Sequence, residues 1–124
     1  MSASGAVPSI DQWVREVRDS SGERPSGMLL VHNGVVRPSS RDGRPVLGLE
    51  LTVDRKAERQ AVERAQQLPG VAAVRVWINE GTLSVGDDIM LALVAGDIRE
   101  NVFAALQSLV AELKSVVVSE RELI

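Results

Sequence analysis

The sequence predicts an α+β fold in which a mostly antiparallel sheet packs against about three helices. Three segments carry apolar residues at spacings of three and four, which is typical of amphipathic helices. Six short runs rich in Val, Ile and Leu lie between and after these helices, bounded by Gly, Pro and Asn, which is typical of strands. In chain order these segments read αββαβββαβ, which indicates helices interleaved among mostly antiparallel strands.

Composition sets limits on function. The 124 residues fit one domain, predicted over residues 9–124 behind a flexible arm of residues 1–8. The chain has no cysteine and one histidine, which excludes disulfides, a thiolate nucleophile and a multi-histidine zinc site. We therefore expect no metal and no cofactor. The net charge of −3 and the lack of a long apolar run predict a cytoplasmic protein that binds neither nucleic acid nor membrane.

The first helix is predicted from a cap and an apolar stripe. Ser9 and Gln12 form a capping-box pair, in which each side chain can bond the free amides of the first turn. The stripe runs from Ile10 to Val17, and a polar, turn-rich loop over residues 18–25 then ends the helix.

Two strands follow, separated by a loop that contains three arginines. They span Gly27–Val36 and Pro45–Val53, with Gly34 predicted to mark a bulge or a close backbone approach. Because these strands are consecutive, we interpret them as a hairpin with a long cationic tip over Arg37–Arg44.

The middle of the chain predicts a helix and three more strands. Asp54 is a suitable cap for a helix that ends at Leu68, before a Pro-Gly pair. Val71–Ile78 and Thr82–Val85 are predicted strands, separated by a turn. Asp88–Ala95 is apolar enough for a central strand.

The last long helix carries the longest apolar stripe in the chain. Asp97 and Glu100 form a capping-box-like pair at its start, and Lys114 lies at its end, where a cation is favoured. Val116–Val118 is a β-branched run that favours a final strand. The predicted apolar face consists of Val102, Phe103, Leu106, Leu109, Val110 and Leu113.

At this point a family resemblance is visible in the order of the motifs. The motifs are NGVVR at 33–37, GRPVLGLEL at 43–51, GTLSVGDD at 81–88, RENVF at 99–103 and AELK at 111–114. Over about residues 9 to 121 this order resembles the large, catalytic subunit of molybdopterin synthase.

The resemblance implies a fold, a reaction and partners. The fold is an α/β hammerhead, and the family forms a homodimer. Each protomer binds a small ubiquitin-like sulfur-carrier subunit whose Gly-Gly tail ends in a thiocarboxylate. Two sulfur atoms pass to a phosphorylated pterin precursor, cyclic pyranopterin monophosphate, to form molybdopterin. Matched by motif, Lys114 and Arg121 are the implied catalytic residues, and Arg37 and Arg99 the implied substrate-binding residues.

Several positions depart from the family pattern. Ile98 replaces a histidine, Arg121 replaces a second lysine, and Glu120 adds a carboxylate beside the expected pocket. A C-terminal extension that supplies another arginine is expected to be missing. These departures leave three hypotheses open: an active sulfurtransferase, a non-catalytic paralogue that binds the carrier or a pterin-like anion, and a structural dimer without a small-molecule site.

Single residues also keep two interpretations. Lys114 is either part of a site or a solvated lysine at a helix end. Arg41 and Arg44 are expected to be solvated, with guidance of an acidic partner as the alternative. His32, in the middle of an apolar strand, is expected to be packed and hydrogen-bonded rather than a ligand or base.

Overall fold

A computed structural model describes residues 6–19 and 26–124. Most of the predicted N-terminal arm and of the loop over residues 18–25 lies outside the described residues. The order of helices and strands is the predicted one, and it confirms the α+β class. The elements are α1 (Ile10–Asp19), β1 (Met28–Val35), β2 (Gly48–Val53), α2 (Arg55–Gln66), β3 (Val71–Ile78), β4 (Gly81–Ser84), β5 (Asp88–Gly96), α3 (Arg99–Glu112), a π-helical turn (Leu113–Val117) and β6 (Val118–Leu123).

The strands form two antiparallel sheets of three strands each. One has the order β1-β5-β3 and the other the order β4-β2-β6. β5 is the central strand of the first sheet, as predicted, because its side chains are buried on both faces and its backbone needs a partner on each edge. A register shift in the pairing of β1 with β5, between Gly34 and Val35, confirms the predicted irregularity.

The predicted hairpin of the first two strands is wrong. β1 pairs with β5, whereas β2 pairs with β4 and β6 in the other sheet. The arginine-rich loop therefore crosses from one sheet to the other. Strand pairing is decided by which edges lack partners, and nearness in sequence does not settle it.

Helices cover both faces of the first sheet. α1 packs on one face, where Val17 forms a small core with Leu93 and Ala95. α2 and α3 pack on the opposite face, in a larger core that continues to the second sheet through residues such as Leu51 and Val117. The even-numbered residues of β1, including His32, therefore face α3, since side chains alternate along a strand.

Two of the three predicted helix caps are present. The amide of Gln12 donates to Ser9 Oγ at 3.1 Å, and the amide of Ala57 donates to Asp54 Oδ1 at 3.0 Å. The predicted capping box at Asp97 is wrong, because the residue in the cap position of α3 is Ile98, whose side chain cannot accept a hydrogen bond.

Asp97 instead stabilises the turn before α3. Its Oδ1 accepts hydrogen bonds from Asn101 Nδ2 at 2.9 Å and from the amide of Ile98 at 2.6 Å. The Asn101 side chain and then the Ile98 amide lower the pKa of Asp97, because both stabilise its charged form.

The end of α3 also differs from the prediction. Val116 and Val117 belong to a π-helical turn, and β6 begins only at Val118. Leu113 and Val117 are buried, so this turn keeps the apolar face of α3 in the core beyond Lys114. Of the predicted apolar face, Phe103 is 51% exposed, so the buried stripe is narrower than expected.

Candidate functional site

A cavity of about 600 Å³ opens where the two sheets meet beside the end of α3. The end of β1, the arginine-rich loop, the start of β5, the π-helical turn and β6 contribute to its walls. This volume lies within the range of pockets that hold small-molecule ligands. Its charged lining consists of Arg37, Arg41, Arg44 and Lys114 as cations and Asp42, Glu120 and Glu122 as carboxylates.

Arg37 and Lys114 line this cavity from different elements of the fold. Arg37 directly follows β1, where the amide of Val36 donates to the carbonyl of Asp87 at 2.9 Å and fixes the chain. Lys114 is exposed between the buried residues Leu113 and Val117 of the π-helical turn. Turns of this kind recur at functional sites. Among the described residues, neither cation forms an ion pair, so both are available to an anion.

Hydrogen bonds within the arginine-rich loop give it a defined shape. The buried Ser40 hydroxyl donates to Asp42 and accepts from the amide of Arg44 at 3.1 Å. Arg44 Nε also lies 3.1 Å from Asp42 Oδ2. The Ser40 hydroxyl and then Arg44 lower the pKa of Asp42. Arg41 lines the same cavity without an ion pair among the described residues, so the loop adds one further cation.

Two carboxylates enter the cavity from β6. Glu120 and Glu122 are separated by one residue, so they lie on the same face of the strand. The sequence predicted the carboxylate of Glu120 at this place and did not identify Glu122. A cavity with charges of both signs favours a ligand that carries an anionic group beside hydrogen-bond donors.

His32 forms part of the cavity wall between β1 and α3. Its Nε2 is shielded from solvent and has no hydrogen-bond partner among the described residues. Burial, and then the positive charge of Lys114, lower the pKa of His32. Sequence reasoning expected a packed, hydrogen-bonded residue, whereas the structure shows a packed imidazole with an unpartnered nitrogen. One sequence feature could have indicated that His32 lines the cavity. Side chains alternate along a strand, so His32 and Gly34 lie on the same face of β1.

Arg99 lies away from this cavity in the same chain. The cavity is lined by Ile89 at the start of β5, whereas Arg99 follows the far end of that strand. Arg99 and Lys114 stand at opposite ends of α3, which the helical rise separates by about 20 Å. The Arg99 side chain is 77% exposed and lies 3.6 Å from Glu100.

Arg121 also lies outside the cavity. It falls between Glu120 and Glu122 in β6 and so points to the other face of the strand. There it pairs with Glu50, which is its register partner in β2. Of the four residues named from the sequence, one protomer therefore brings Arg37 and Lys114 together and leaves Arg99 and Arg121 apart.

Two other site classes have no support in the described part of the chain. Within residues 6–19 and 26–124, no three His, Asp or Glu side chains are grouped as metal ligands. No helix in these ranges has the length and apolar character needed to cross a membrane.

Comparison with known proteins identifies the family. The family model described as MoaE protein matches residues 6–116, which is most of the chain. The chain belongs to the MoaE family. This confirms the resemblance to the large subunit of molybdopterin synthase. A search of curated proteins gives no significant match.

Solved structures with MoaE-like folds are similar over nearly the whole chain. A molybdopterin synthase from Staphylococcus aureus has 19% identity and a TM-score of 0.75, over 94% of this chain and 85% of that one. Molybdopterin cofactor biosynthesis protein E from Burkholderia multivorans has 22% identity and a TM-score of 0.75, over 95% and 82%. A complex of subunits 1 and 2 of molybdopterin-converting factor from Helicobacter pylori has 16% identity and a TM-score of 0.69, over 94% and 80%. MoaE membership, together with this fold, supports a role in molybdenum cofactor biosynthesis.

Proposed function

We propose that this MoaE-family protein transfers sulfur from the thiocarboxylate of a small ubiquitin-like carrier to cyclic pyranopterin monophosphate, forming molybdopterin. The observation that carries the proposal is one cavity lined by both Lys114 and Arg37, each without an ion pair among the described residues. The reaction brings together a substrate phosphate and an anionic carrier tail. Both need cations in a partly enclosed site.

The two cations have different roles in this proposal. Arg37 binds the phosphate of the precursor, because a guanidinium matches two phosphate oxygens at once. Lys114 contacts the reacting end of the carrier tail, as a flexible point charge beside the acyl carbon. Arg41, on the arginine-rich loop, supplies a further positive charge in the cavity lining.

The proposed partners are a small carrier subunit and a second copy of this chain. The Helicobacter pylori structure is a complex of two subunits of molybdopterin-converting factor, which supports a carrier partner here. Arg99 and Arg121 lie outside the cavity of their own protomer. Their proposed roles, substrate binding and catalysis, therefore require an assembly in which a neighbouring copy supplies them.

A reconstituted assay tests the proposal. Purified protein is mixed with a thiocarboxylated carrier and the precursor, and the dithiolene product is measured. We expect product with the wild-type chain, none with Lys114→Ala, and reduced product with Arg37→Ala. Arg59→Gln is the matched control, since it removes an exposed cation from α2, away from the cavity. If wild-type protein gives no product while a standard homologue does, the sulfurtransferase proposal is wrong.

A non-catalytic carrier-binding or pterin-binding protein is the second candidate. Two observations favour it: carboxylates of Glu120 and Glu122 line the cavity, and Arg121 pairs with Glu50 on the other side of β6. Lys114→Ala separates the candidates when turnover and carrier binding are measured together. The enzyme loses turnover and keeps most of its binding, whereas the binding protein shows no turnover before or after the change.

A further inference from the structure

His32 is the cavity residue whose position the sulfur-transfer proposal leaves unused. It lies on β1 two residues before Gly34, and both residues line the cavity. On its other side the imidazole meets an apolar groove of α3 that includes Leu106 and Val110. The ring is thus held between a packed helix face and a charged cavity.

The Nε2 atom of His32 is shielded and unpartnered within the described residues. A buried nitrogen without a hydrogen bond is unfavourable, because folding removes its water partners and provides no other partner. Protonation would increase that cost, because a charged N–H needs an acceptor even more than a neutral ring does. Because His32 as a whole is only half-buried, a small rotation of the ring would let Nε2 donate to an anion oxygen in the cavity, and the anion would also provide a compensating negative charge.

We propose that His32 is part of an anion-binding site in this cavity and takes up a proton when an anion binds there. This inference rests on the proposed function, because it treats the cavity as the site for a phosphate or another anionic group. It adds to that function a third contact residue and a coupling between anion binding and pH.

The coupling between anion binding and pH is assigned to His32 because the other charged groups of the lining are of different types. The other charged groups of the lining are three arginines, one lysine and three carboxylates. The faces of α3 and β5 that pack on the ring contribute apolar residues and one glutamine. His32 is the one histidine of the described lining, and histidine is the side-chain type that ordinarily changes charge near neutral pH.

The direction of the expected change in the His32 pKa follows from the net charge of the cavity lining. With neutral His32 the described lining has four cations and three carboxylates, so its net charge is +1. A protonated imidazole raises this to +2. The neutral form dominates in the empty cavity at neutral pH, because burial and Lys114 lower the His32 pKa. A bound anion offsets the positive charge of Lys114 and stabilises the imidazolium, so it raises that pKa, and anion affinity increases as the pH falls.

Because the chain has a single histidine, its titration can be followed directly by NMR in untagged protein. The pKa of His32 is measured in sodium sulfate and in sodium chloride of equal ionic strength. Sulfate is the probe because it remains a dianion throughout this range, whereas inorganic phosphate itself titrates. We expect a higher His32 pKa in sulfate. At saturating sulfate, each pKa unit of increase means that sulfate binds the protonated form about tenfold more tightly than the neutral form.

Variants locate the effect. Arg37→Ala should shift the sulfate-dependent rise to higher sulfate concentrations, and Arg59→Gln should leave it unchanged. Gly34→Ala would add a methyl group 3.4 Å from Nε2, a distance the fold accepts, and should reduce the rise by hindering the rotation that brings the nitrogen to the anion. His32→Gln, followed by calorimetry, should bind sulfate with equal affinity at about pH 5.5 and about pH 8.

The outcomes separate this inference from the proposed function. If sulfate perturbs the backbone amides of the cavity but leaves the His32 pKa unchanged, the inference is overturned and the anion cavity stands. If sulfate perturbs nothing in the cavity, the anion site fails and the inference fails with it, while the product assay still judges sulfur transfer independently. A pKa rise that persists undiminished in both Arg37→Ala and Gly34→Ala also overturns the inference, since the effect would then arise elsewhere.

Discussion

Adjacent residues at the end of α3 should respond in opposite ways to substitution by alanine. Leu113 is 0% exposed and belongs to the main core, whereas Lys114 is exposed to the cavity. Leu113→Ala should therefore lower stability, and Lys114→Ala should lower activity. The pair tests whether the π-helical turn anchors one side chain in the core in order to present the next one to a ligand.

The stability change can be worked from burial. Truncating a fully buried leucine to alanine costs about 3 kcal/mol, within a usual range of about 2–5 kcal/mol. An unfolding entropy of about 2.1 cal/mol/K per residue over 124 residues gives about 0.26 kcal/mol/K. Leu113→Ala should thus lower Tm by about 12 °C. Lys114→Ala, at an exposed position, should change stability by no more than about 0.5 kcal/mol, or about 2 °C.

Thermal unfolding by circular dichroism and the dithiolene assay measure both effects. We expect Lys114→Ala to keep its Tm and lose at least about 100-fold in turnover, as is usual when a group acting on the reacting atoms is removed. A fall in Tm of less than about 4 °C for Leu113→Ala would refute the packing argument. A large fall in Tm for Lys114→Ala would mean that the lysine is structural.

Three further predictions test other parts of the molecule. Lys114→Met should raise the pKa of His32, because it removes a positive charge that disfavours the imidazolium. NMR titration measures this pKa, and an unchanged or lower value would contradict the prediction. Gly96→Ala would bring a Cβ within 2.6 Å of the Gly70 carbonyl oxygen, so it should lower the free energy of unfolding by about 1–3 kcal/mol. Chemical denaturation measures this change, and an unchanged free energy of unfolding would contradict the close approach of the two backbones. If Arg99 acts across a dimer interface, mixing inactive Lys114→Ala and Arg99→Ala chains should restore part of the turnover, whereas action within one chain predicts no recovery in the mixture.

The local features of this fold could be predicted from sequence because they depend on near neighbours. Ser9 and Asp54 cap their helices through hydrogen bonds that span three residues. The strand over 88–96 is central because an apolar run without alternation needs cover on both faces. The order of helices and strands was confirmed for the same reason, since hydrophobic period is a property of short segments.

Features that depend on distant partners could not be predicted in this way. Consecutive strands β1 and β2 fall in different sheets, because β5 offered β1 a free edge that no local pattern reveals. The register of β6 against β2 brings Arg121 to Glu50 and turns it from the cavity.

The candidate site also has features that the sequence predicts and features that depend on tertiary packing. The sequence by itself determined the family motifs that single out Arg37 and Lys114, and the fold class that holds them. Only the tertiary structure decided that these two cations line one cavity, that about 20 Å of helix separates Arg99 from Lys114, and that His32 faces the same cavity. The physical reason is that residue type and spacing are local properties of the sequence, whereas a side chain's neighbours in space depend on how sheets and helices pack.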